Sequence, residues 1–99
     1  MPRVFVDVDP RTLHVPRSRL SGADPYKLQR QIGMFGSSLA GMPAPWVVRG
    51  TDGELMLMNG VTRSTRIAKL LPGTLIRVEV VDDINAPAGT TPTIGDLLP

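Results

Sequence analysis

The chain contains no cysteine. Disulfides, thiolate metal sites, thiol redox chemistry and a cysteine nucleophile are therefore excluded. Aromatic residues are scarce, with one Trp, one Tyr and two Phe in 99 residues. A small aliphatic core follows. No apolar run approaches the roughly 20 residues of a membrane-spanning helix, and the opening MPRVFVDVDP alternates apolar with charged residues in place of a signal peptide's apolar stretch. The expectation is a soluble, cytoplasmic chain with no membrane partner.

What is present suits one folded domain. With 41% hydrophobic and 20% charged residues the composition is close to globular averages, and a length near 100 residues allows a single core. Ten Gly and ten Pro imply many turns. The net charge of +2 is unevenly spread. Residues 1–30 carry six basic and three acidic side chains, residues 49–77 carry five and two, and residues 78–99 carry four acidic and no basic ones. A basic body ending in an acidic stretch reads either as a solvated surface or as attraction for a phosphate-bearing ligand.

Residues 3–8 alternate with period two around Val4, Val6 and Val8, predicting a first strand that ends at Asp9-Pro10. Residues 11–24 lack periodicity and read as a loop or a short turn. Asp24-Pro25 is an N-cap followed by proline at the first helical position, and Leu28, Ile32 and Phe35 share a face, predicting a helix over 25–35 with Gly36 as its stop. Residues 36–48 carry no charge and begin as a flexible Gly/Ser connection, which suggests burial or a partner surface. Apolar runs 46–49 and 54–58 flank Gly50-Thr-Asp-Gly53 as a hairpin. A second helix runs from Val61 to Leu71, and residues 74–81 form the clearest strand. The reading is an α+β domain over 1–82 with a small mixed sheet and two main helices. Residues 83–99 read as an extended acidic tail anchored by Ile94, Leu97 and Leu98.

The most informative stretch is Met58-Asn-Gly-Val-Thr-Arg-Ser-Thr-Arg-Ile-Ala-Lys-Leu-Leu71, where a strand turns through Asn-Gly into a helix. A helix start offers free backbone N–H groups and the positive end of the dipole, which suits an anion. Thr62 and Ser64 add hydroxyls there. On the helical wheel Ile67, Ala68, Leu70 and Leu71 face one side, with Thr62, Thr65, Arg66 and Lys69 on the other. Arg63 falls at the apolar edge. A guanidinium in the first turn opposes the dipole unless an anion offsets it. The readings open to it are a salt bridge with Asp7, Asp9 or Glu79, a bound phosphate or nucleotide, or plain exposure to solvent.

The run Val4-Phe-Val-Asp-Val8, then Leu28 and Ile32, Gly41-Met-Pro-Ala-Pro-Trp-Val-Val48, Leu55-Met-Leu-Met-Asn-Gly-Val-Thr-Arg63 with Ala68, and Ile76-Arg-Val-Glu-Val80 resembles the ParB/sulfiredoxin-type domain over roughly residues 3–82. The resemblance implies a phosphate or nucleotide site on the Gly-x-x-Arg loop from Gly60 to Arg63, with a nucleotide as the implied cofactor and DNA as a further ligand. Arg17 and Arg19, with Arg66, join Gly60, Thr62, Arg63 and Ser64 as candidate phosphate-binding residues. Sulfiredoxins place Gly-Cys-His-Arg where this chain has Gly60-Val61-Thr62-Arg63, so reduction of a sulfinic acid by that route has no thiol to run on. ParB partition proteins, by similarity, carry a second arginine and a glutamate in this loop and append DNA-reading and dimerisation domains absent from these 99 residues. Chromosome partition by this stretch alone is not expected.

Other candidates read more plainly. His14 is a loop residue without a partner pattern for catalysis, and Lys27 and Arg30 extend the basic patch of Arg17 and Arg19. Trp46, Met56 and Met58 read as core. Asp7 and Asp9 are the carboxylates open to a metal role. Two further functions compete with phosphate binding: a protein-interaction or homo-oligomer surface formed by residues 36–48, and a small nuclease or phosphotransferase needing a carboxylate near Arg63.

Overall fold

A computed structural model describes residues 2–99. The chain folds as expected into a four-stranded mixed sheet with two helices. The strands are β1 (Val4–Val8), β2 (Trp46–Arg49), β3 (Leu55–Leu57) and β4 (Ile76–Asp83), and the helices are α1 (Pro25–Phe35) and α2 (Val61–Leu70). The sheet order is β1-β4-β2-β3; β4 pairs antiparallel with β1 and parallel with β2, and β2 and β3 form the hairpin. The parallel link from β2 to β4 runs through β3 and α2, which brings α2 across one face of the sheet.

Local chemistry explains the boundaries. Asp24 accepts from the Tyr26 and Lys27 amides at 2.8 and 3.2 Å, and Pro25 supplies a preset first residue, so α1 starts there. The hairpin closes through Gly50 to Gly53, with the Gly53 amide donating to the Gly50 carbonyl at 3.0 Å. Strand alternation sorts the faces. One row crosses the whole sheet as Val4, Val80, Val47 and Leu57, and a second pairs Val6 with Val78. This face meets Val61, Ile67 and Ala68 of α2 and holds the aliphatic core.

The aromatic residues lie outside that core. Phe5, Tyr26, Phe35 and Trp46 are all exposed, Trp46 at 49%. Trp46 therefore departs from the expected core position. Its register partner on β4 is Glu79, which also stands opposite Phe5, so both rings sit on the sheet face turned away from α2. Met56 of β3 and Met58, just beyond it, also depart from the expected core. Leu57 is the buried β3 residue, Met56 is half-buried, and Met58 is exposed.

Residues 84–99 return over the molecule and contribute to its interior. Ala88 and Ile94 are fully buried, Ile94 within the main core, with Leu97 and Leu98 packed against it. Asp52 holds the segment from the hairpin turn, accepting from the Ala88 and Gly89 amides at 3.1 and 2.9 Å. The approach is close enough that a Cβ on Gly50 would stand 2.2 Å from the Ala88 nitrogen. His14, expected on a loop surface, is buried in this seam. Its Nδ1 lies 2.6 Å from the Thr91 carbonyl, and its backbone bridges Met56 and Thr93.

Candidate functional site

The turn into α2 is built around Gly60. Its φ of 84° is left-handed, a conformation that costs an L side chain about 1–2 kcal/mol. Space forbids a side chain as well. A Cβ there would lie 2.7 Å from Cβ of the buried Pro45 and 2.9 Å from Nη2 of Arg63. The turn is tied to β2 by Asn59, whose Oδ1 accepts from the Trp46 amide at 2.7 Å. Gly60 has no side chain with which to cap the helix, so the first-turn amides of α2 receive no side-chain acceptor. That contrasts with α1, where Asp24 fills the role.

Gly60, Val61 and Thr62 line a cleft of about 330 Å³ closed on its far side by Pro16, Ser18, Arg19 and Asp24. Arg19 and the uncapped helix start therefore share one concavity. Arg17 lies in the same 3₁₀ turn, Arg17–Arg19, and is exposed to solvent. Thr62 also lines a second cleft of about 330 Å³ with Lys27, Arg30 and Phe35, so basic side chains stand on both sides of it. None of Arg17, Arg19, Lys27 and Arg30 forms an ion pair among the described residues.

Arg63 occupies an unusual position. It is half-buried, its Nε is buried without a hydrogen-bond partner, and its Nη2 folds back over Gly60. The three carboxylates open to it in the sequence are engaged elsewhere. Asp9 binds Arg11 at 2.7 Å, Glu79 binds Arg3 at 2.8 Å, and Asp7 stands 3.8 Å from Arg77. Arg63 has no acidic partner among the described residues. Desolvation accordingly pushes its pKa below the ordinary arginine value. Its side chain borders a small hollow of about 60 Å³ with Gln31, Phe35 and Met42, on the α1 side of the turn.

Arg66 and Ser64 are placed differently from the solvent-facing site expected of them. Arg66 is 2% exposed, and its Nη1 donates to the carbonyls of Gly36 and Ser38 at 2.7 and 2.9 Å. Its guanidinium also stands 5.4 Å from the Phe35 ring centroid. Arg66 thus clamps the connection after α1. Ser64 is fully buried with an unpartnered Oγ. Thr65, placed with Arg66 on a polar side by the helical wheel, is buried too, its hydroxyl satisfied by the Val61 carbonyl at 2.7 Å. The cause is the layering. α2 is covered by the sheet on one side and by α1 and the Pro10–Thr12 turn on others, so it has no broad polar face.

The groups present here are first-turn amides without a side-chain acceptor, the Thr62 hydroxyl and basic side chains. No group of three His, Asp or Glu side chains positioned for a metal occurs among the described residues. Asp24 is the carboxylate lining the Gly60–Thr62 cleft, and its Oδ1 is held by two amides. No family model, curated protein or solved structure matches the chain. The likeness to ParB/sulfiredoxin-type domains accordingly rests on the sequence motifs alone.

Proposed function

We propose that the chain is a binding module for a phosphate-bearing ligand, of the nucleotide class, held at the turn from Gly60 to Arg63. The observation that carries this is Arg63: a half-buried guanidinium without a carboxylate, beside an uncapped helix start. A desolvated cation costs free energy until an anion neutralises it, and helix-start amides are ready donors to phosphate oxygens. Arg19 and the Thr62 hydroxyl would meet the ligand in the Gly60–Thr62 cleft, whereas Arg63 borders the neighbouring hollow and would act from behind the turn, through the Nη2 that lies against Gly60. Gly60 permits close backbone approach. The Gly-x-x-Arg resemblance points the same way. Lys27 and Arg30 extend the positive surface that a longer anion such as DNA would follow.

The test is titration with CTP, ATP, GTP, inorganic phosphate and a short DNA duplex, read by isothermal titration calorimetry. Removing one charge-assisted donor pair costs about 1.5–3 kcal/mol, so Arg63→Met should weaken binding roughly 10- to 100-fold.

A second reading has its own observation. Phe35, Leu39 and Trp46 are exposed at 48%, 40% and 49% around the uncharged 36–48 segment. Leu39, Met42 and Leu75 share a hollow of about 250 Å³ at the foot of the sheet. This apolar exposure favours a protein partner, and loss of a pull-down partner or of self-association in Leu39→Glu would support it.

A further inference from the structure

β1 leaves one edge of the sheet open. The opposite edge, at β3, is covered by His14, whose amide donates to the Leu55 carbonyl at 2.9 Å and whose carbonyl accepts from the Leu57 amide at 2.8 Å. Among the described residues, the backbone bonding of β1 runs to β4 alone. A free row of N–H and C=O groups is a template for another strand. Natural edges are commonly blunted by proline, a bulge or charged side chains, lysine above all, and the one charge within β1 is Asp7. Residues Val4-Phe-Val-Asp-Val8 contain no proline or lysine, and the irregularity in the sheet falls between Val47 and Val48 in β2.

The side chains are left uncovered in the same place. In the row that crosses the sheet, Val80, Val47 and Leu57 are at most 8% exposed, yet Val4 at its end is 44% exposed. Phe5, on the other face, is 38% exposed.

The pattern along β1 is complementary to itself. An antiparallel second copy with its two-fold axis at Phe5 places Phe5 opposite Phe5, Val4 opposite Val6, and Arg3 opposite Asp7. Directly opposed residues share a face, so valine meets valine on the core side, while the aromatic and ionic pairs meet on the other. Both charges lie on the solvent side, Arg3 held by Glu79 at 2.8 Å and so sharing that partner when it meets Asp7 across the axis. The Arg3 and Asp7 side chains are 68% and 60% exposed, and Asp7 has its nearest cation, Arg77, at 3.8 Å. We infer that β1 is a homodimerisation edge that joins two four-stranded sheets into one of eight strands, with a second copy of this chain as its partner. A five-residue strand covers less than the roughly 800 Å² per partner of a standard interface, so the dimer is concentration-dependent.

Sedimentation velocity of the full chain at rising concentration tests this. The expected result is a reversible monomer-to-dimer shift that Val4→Lys abolishes, with far-UV circular dichroism unchanged because Val4 is already half exposed. Since the chain has no cysteine, Phe5→Cys introduces a unique thiol that faces its own copy across the axis. Mild oxidation should cross-link it into a disulfide dimer, whereas Trp46→Cys should form no disulfide dimer. A chain that stays monomeric at every concentration overturns the inference. So does a dimer that survives Val4→Lys, or one that cross-links through Trp46→Cys in place of Phe5→Cys. A dimer sensitive to Val4→Lys but not cross-linked at Phe5→Cys overturns the register.

Discussion

Arg63 and Arg66 stand one helical turn apart, and their replacement by methionine should move stability in opposite directions. Methionine keeps most of the aliphatic stem and removes the guanidinium. At Arg66 the change breaks two hydrogen bonds from a charged donor to the Gly36 and Ser38 carbonyls, each worth about 1.5–3 kcal/mol. Those carbonyls belong to an exposed loop and regain water, so the net loss is about 2–4 kcal/mol, or on the order of 10–20 °C in Tm for a domain of this size. At Arg63 no such bond is lost. Its Nε is buried without a partner and burial holds its pKa below the ordinary value, as is true of Arg66, but Arg63 has no carbonyl bonds to offset that cost, so its charged form is disfavoured in the fold. Discounted for its partial exposure, relief of that cost is about 0–1 kcal/mol, so Arg63→Met should melt at the same temperature as the parent or a few degrees higher. Thermal melts followed by far-UV circular dichroism at neutral pH and low salt make the comparison. If Arg63→Met destabilised as much as Arg66→Met, Arg63 would be a structural residue and the reasoning would fail.

Gly60→Ala should lose about 2–4 kcal/mol, from the left-handed backbone and from the Cβ's collision with Pro45, readable as a lowered urea midpoint. Ser64→Ala should be neutral or stabilise by up to about 1 kcal/mol, because it removes a buried hydroxyl that has no partner, and it should leave anion binding unchanged. Stability should fall in acid. The carboxyls of Asp9, Glu79 and Asp83 are held below their ordinary range by Arg11, Arg3 and Arg49, and that of Asp52 by the Gly89 and Ala88 amides. Their contribution is present above the unfolded values near pH 4 and is lost as pH drops through the folded ones, which a pH series of melts will show. In Asp52→Ala, hydrogen exchange at residues 86–94 should accelerate before that of β4, since Asp52 pins that segment to the hairpin turn.

The element boundaries were legible because strong local signals mark them. Asp24-Pro25, Gly36 and the glycine turns at 50–53 and 60 each impose a backbone state with few alternatives, and the observed elements begin and end beside them. What escaped was layering. A helical wheel assumes one buried face, and α2 has the sheet, α1 and a 3₁₀ turn around it, which buries Thr65 and Arg66. Trp46 was misplaced because hydrophobicity alone does not say which face of a strand is covered. His14 and the 84–99 segment are buried through contacts between residues about 77 positions apart, which no local pattern encodes. For the candidate site, the turn and Arg19 line one cleft. The isolation of Arg63 was not readable, since it depends on where Asp7, Asp9 and Glu79 find other arginines.

The most direct test of the central claim is isothermal titration calorimetry with CTP, ATP, GTP and inorganic phosphate, run in parallel on the parent chain and Arg63→Met. Anion binding at the start of α2 predicts a saturable change for at least one ligand, weakened roughly 10- to 100-fold in Arg63→Met and by added salt. No saturable change in the parent, or the same affinity in both proteins, would contradict it.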